Sequence, residues 1–79
     1  MQNIASEFWR FVERQDNDLS KRVYNWLNKD NLSAIMVDRG IFWVELTTSM
    51  STLPKYVFQY IEKWCKSKGL GYLYSERQV

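Results

Sequence analysis

Apolar residues at Ile4, Phe8, Phe11 and Val12 recur every three or four positions, the spacing that gives a helix one apolar stripe. Ser6-Glu7 supplies the polar and acidic character suited to a helix start. The stripe resumes in the same phase at Leu19, Val23, Trp26 and Leu27, beyond a stretch of poor helix formers, Gln15-Asp16-Asn17-Asp18. Two readings of residues 3–28 follow. Either one helix runs throughout with a wet middle, or two helices meet at Asp16–Asp18, with an Asp capping the second. The preserved phase, and an Arg14–Asp18 pair at i,i+4, favour the continuous helix. Asn28-Lys29-Asp30-Asn31 ends it.

The periodicity then changes. Leu32–Val37 and Ile41–Thr47 are rich in β-branched and aromatic residues, and Asp38-Arg39-Gly40 lies between them. A short polar link carrying Gly where positive φ is needed predicts a hairpin. Thr48–Pro54 offers hydroxyl caps and a first-turn Pro, so a helix is expected through Val57, Phe58, Ile61, Trp64 and Cys65. Lys66-Ser67-Lys68-Gly69 should stop it, with Gly69 left-handed and Leu70 as the hydrophobic partner of the cap. Gly71–Arg77 alternates and reads as a third strand, parallel to the second through a right-handed crossover.

The expected architecture is therefore α+β, in the order α-β-β-α-β, with helices on one face of a small three-stranded mixed sheet. All 79 residues fall in one domain, because so short a chain buries only about 60% of its unfolded surface. No linker, repeat or low-complexity segment divides it.

Composition narrows the function. The chain has no His and a single Cys, Cys65, expected as a small buried hydrophobe in the last helix. The common general bases and nucleophiles are thus missing, and an enzyme is not expected. One Cys forms no internal disulfide, which suits a reducing cytoplasm. Met1–Glu7 lacks the basic and apolar regions of a signal peptide. No apolar run reaches the roughly 20 residues that cross a bilayer. The carboxylates Asp16, Asp18 and Asp38 fail calcium-loop spacing, and Gly69 and Gly71 follow a helix instead of opening one, so neither metal nor cofactor is expected.

Four Trp, five Tyr and four Phe are more rings than so small an interior readily hides. Alternation puts Phe42, Val44 and Leu46 on one face of the second strand and Ile41, Trp43, Glu45 and Thr47 on the other. With Leu73 inward on the third strand, Tyr72 and Tyr74 turn outward. The open face then carries Ile41, Trp43, Tyr72 and Tyr74, with one alternating set from Ala34–Val37. Trp26 and Trp64 belong to helix stripes and are expected in the core, whereas Trp9, off the stripe beside Phe8, is a second exposed ring. Burial within the monomer, self-association and a foreign partner are the competing fates of such a face.

Two functions compete. Trp and Tyr anchor interfaces, so these five residues suit a non-catalytic protein-binding module, such as a small inhibitor or accessory factor of the kind mobile elements encode. Alternatively, Trp43, Tyr72 and Tyr74 stack single-stranded nucleic acid while Arg39, Lys63, Lys66, Lys68 and Arg77 hold phosphates. Residues 39–79 do carry six basic against three acidic residues, but net charge is only +2. Neither an RNA-recognition-motif signature nor a KH-type loop is present. The lysines also sit near a helix C-terminus, where they favour the dipole. Protein binding is the preferred expectation.

Overall fold

A hydroxyl with no exposure to water marks the first departure from the expected helix. In the computed structural model, which describes residues 4–77, Ser20 is fully buried and its Oγ donates toward the carbonyls of Gln15 and Asn17. The chain breaks there into α1 (Ile4–Arg14) and α2 (Asp18–Leu27), and the two carbonyls also accept the Asn17 and Lys21 backbone N–H groups, at 3.0 and 3.1 Å. Asn17 takes an extended conformation, φ −143°, and its side chain accepts from the Ser20 N–H at 2.8 Å. The single long helix is thus corrected to two, and the cap is Asn17 in place of an Asp. Asp18 occupies the first turn, where its charge favours the helix dipole. The ion pair at the junction is Lys21 with Asp16 at 3.2 Å.

Beyond α2, β1 (Leu32–Asp38) and β2 (Ile41–Leu46) pair antiparallel around a two-residue turn, Arg39-Gly40. Both turn residues have positive φ, 52° and 76°, the geometry that lets a tight turn follow the sheet twist. A register shift between Leu32 and Ala34 marks a bulge at the far end of β1. A 3-10 turn at Met50–Thr52, capped by Ser49, precedes α3 (Lys55–Lys68); Pro54 stands just before that helix, not inside its first turn. Gly69, at φ 70°, ends α3 in the left-handed conformation, and the Leu70 N–H reaches the Cys65 carbonyl at 2.9 Å. The last strand, β3 (Gly71–Glu76), runs parallel to β2 and completes the order β1-β2-β3. The architecture is the small α+β fold expected, with one extra helix.

All three helices cover the same side of the sheet. Phe8, Phe42 and Trp64 form its centre, with ring centroids 5.1–5.3 Å apart, and so join α1, β2 and α3. Val12, Val23, Leu27, Val44, Leu46, Val57, Ile61 and Cys65 close the core around them. Burying these side chains is the main drive to fold, at roughly 1.5–3 kcal/mol for each large one.

Candidate functional site

Strand register decides which rings reach the surface. Trp43 pairs with Met36 on β1 and with Leu73 on β3, so these three form a row across the uncovered face. Ile41 lies beside them, and Met36, Ile41 and Leu73 are 51%, 37% and 40% exposed. Trp43, flanked on both sides, is half-buried. Ala34, Glu45 and Ser75 make the next row, and Asp38 pairs with Ile41 at the hairpin end. The charged strand positions of this face are thus the carboxylates of Asp38 and Glu45.

Tyr72 and Tyr74 do not join it. Tyr72 pairs with Phe42 and Tyr74 with Val44, which turns both rings toward the helices; the expected phase of β3 is inverted. The reason lies in α3. Phe58 meets both rings, at 5.7 and 5.5 Å, and Glu62 accepts a 2.6 Å hydrogen bond from the Tyr72 hydroxyl. The two large rings fill this edge of the core better than Leu73 does, although only Tyr72 has its hydroxyl paired and Tyr74 Oη is buried without a partner. The hydrogen bond to Glu62 raises the Tyr72 hydroxyl above its ordinary pKa, and burial raises that of Tyr74 further.

Trp9 is also on the helical side. It is half-buried, edge-to-face with Phe8 at 6.0 Å and with Tyr24 at 5.8 Å, and so fastens α1 to α2. Trp26 is half-buried against the core, and Trp64 is only 3% exposed. The basic residues scatter. Arg39 occupies the hairpin turn and Arg77 follows β3, whereas Lys63, Lys66 and Lys68 ride on α3. Lys68 pairs with Glu7 at 2.5 Å and lies over the Trp64 ring. The stacking platform with a basic rim is therefore not assembled: Trp43 is parted from both tyrosines and from the lysines by the sheet itself.

A second feature was not anticipated. Phe11 and Leu19, placed on the buried stripe by their spacing, are 38% and 46% exposed instead. They stand on either side of the α1–α2 break and line a cleft of about 550 Å3 against α3. Tyr56, Tyr60 and Trp64 form the α3 wall, and Lys63 is the charged residue among the lining side chains. Tyr60 Oη and Trp64 Nε1 are buried without a hydrogen-bond partner, an arrangement that costs on the order of 1–3 kcal/mol per group. The only sequence signal for this cleft was the polar interruption between two in-phase stripes.

Cys65 is fully buried, and burial pushes its thiol up to about 11. Among the described residues, no three His, Cys, Asp or Glu side chains converge to hold a metal ion, and no helix is long and apolar enough to cross a membrane. Comparison with protein-family models, curated proteins and solved structures yields no match to this chain.

Proposed function

We propose that the chain is a non-catalytic protein-interaction module that captures another protein on its open sheet face. The observation that carries this reading is the row Met36–Trp43–Leu73, with Ile41 beside it, on a face that none of the helices covers. Leaving such side chains in water forgoes the favourable burial the rest of the chain exploits, and a partner restores it. Trp43 is the natural anchor, because a half-buried indole offers a large rigid surface held in place by its neighbours. Asp38 and Glu45 set the polarity, so the matching partner surface is an apolar patch flanked by Lys or Arg. The same two carboxylates, and the dispersal of the basic residues, weigh against single-stranded nucleic acid on this face. An inhibitor or accessory factor is the kind of protein such a small domain suits.

The test compares wild type with Trp43→Ala and Leu73→Glu as bait in native lysate, each variant checked by circular dichroism and thermal melting. We expect both to stay folded and to lose the proteins that wild type enriches. An unchanged enriched set in the two folded variants overturns the reading. Sedimentation of wild type tests for a second copy on the face, which the same substitutions would release to monomer.

A further inference from the structure

We infer that the cleft between α1, α2 and α3 is a binding site for a small amphiphilic anion, an apolar chain or ring bearing a carboxylate. The site is separate from the sheet face and stands without it. Its volume of about 550 Å3 lies within the usual range for small-molecule pockets, roughly 300–1,000 Å3. Phe11, Leu19 and Tyr56 supply the apolar lining. Tyr60, Lys63 and Trp64, at i, i+3 and i+4 on α3, place a phenol, an ammonium and an indole N–H on one side of that helix.

Charge and hydrogen bonding specify the head group. Tyr60 Oη and Trp64 Nε1 have given up water without gaining a partner, and the indole N–H can only donate. An acceptor oxygen on the ligand satisfies such a donor. Trp64 also borders an adjoining, more polar pocket of about 310 Å3, lined by Arg10, Arg14 and Lys68 against a single acid, Glu7. Glu7 is already paired with Lys68. A carboxylate where the two pockets meet therefore lies among Lys63, Arg10, Arg14 and Lys68, with Trp64 in the shared wall, while its body lies between Phe11, Leu19 and Tyr56. An acidic protein segment shares the charge, but a cleft of this volume favours a small molecule.

Decanoate is the probe, with decanol as its neutral counterpart. The readout is two-dimensional NMR of the intact chain at low salt, below micelle formation. We expect the Trp64 indole N–H, identified from a Trp64→Phe spectrum, to shift saturably with the amides of Phe11, Leu19 and Tyr60. The Trp43 indole should stay in place. Decanoate with Arg14→Gln or Lys63→Gln should bind about threefold to fivefold more weakly, as expected for losing one exposed charge contact, and decanol, which loses all of them, more weakly still. Leu19→Glu, at an exposed position, should abolish the shifts while preserving the remaining spectrum. Shifts confined to Trp43, decanol binding as tightly as decanoate, or no shift at millimolar decanoate each overturn the proposal. So does an acidic amphipathic peptide that moves these signals where decanoate does not.

Discussion

Single residues at the junction of α1 and α2 carry more than their size suggests. Ser20 has its hydroxyl against the Gln15 and Asn17 carbonyls, with no access to water. Ser20→Ala removes the hydroxyl bond while both carbonyls keep their backbone donors, so stability should fall by about 1 kcal/mol, read as a lower urea midpoint at unchanged slope. Alkaline pH probes other buried groups. In the folded chain the Cys65 thiol is held at about 11 against an ordinary 9.0, and the Tyr72 and Tyr74 hydroxyls lie above their ordinary 10.0. The native state thus keeps protons that the unfolded chain has already released. Stability from these groups is intact below about pH 9 and is lost as pH rises, first through the thiol and then through the phenols. Melting temperatures measured from about pH 8 to pH 11 should decline from near 9, and Cys65→Ala should delay the onset toward 10.

At the scale of elements, local backbone chemistry was readable and long-range choices were not. The hairpin and the α3 cap were legible because Gly40 and Gly69 supply conformations that other residues resist. Arg39, at φ 52°, is the poorer half of the turn. Arg39→Asn should raise the stability of the protein by about 0.5 kcal/mol, whereas Gly40→Ala should lower it by about 1 kcal/mol or more, both measured by denaturant titration. The break after Arg14 was the less favoured of two readings because the apolar stripe keeps its phase across it, and periodicity is blind to the path between two stretches. The poor helix formers Gln15–Asp18 marked the place, though the cap expected there was an Asp and not Asn17. The phase of β3 was equally hidden. Tyr72, Leu73 and Tyr74 are all apolar enough for either face, and Phe58 and Glu62, far off in sequence, decide which side wins. Inverting that phase exchanged Tyr72 and Tyr74 for Leu73 on the open face, while Trp43 and Ile41 stayed as read and Ala34 and Met36 proved to be the β1 set that joins them.

Across the whole molecule, two candidate surfaces lie on opposite layers, the sheet face around Trp43 and the cleft around Tyr60 and Trp64. Substitutions in one should leave the other intact, since distant sites without shared partners act nearly independently. Leu73→Glu should spare decanoate binding in the NMR titration, and Leu19→Glu should spare capture of the protein partner. Failure of either variant at both sites would mean that the layers communicate. The anatomy of β2 adds one more constraint. Phe42, Val44 and Leu46 are interior, while Ile41, Trp43 and Glu45 alternate with them on the outside. Hydrophobic side chains line both sides of this central ribbon, so inserting or deleting one residue at Arg39-Gly40 could trade an interior for an exterior without unpairing the ribbon. Length at that loop, more than chemistry at any single side chain, keeps the inside of this protein from becoming its outside.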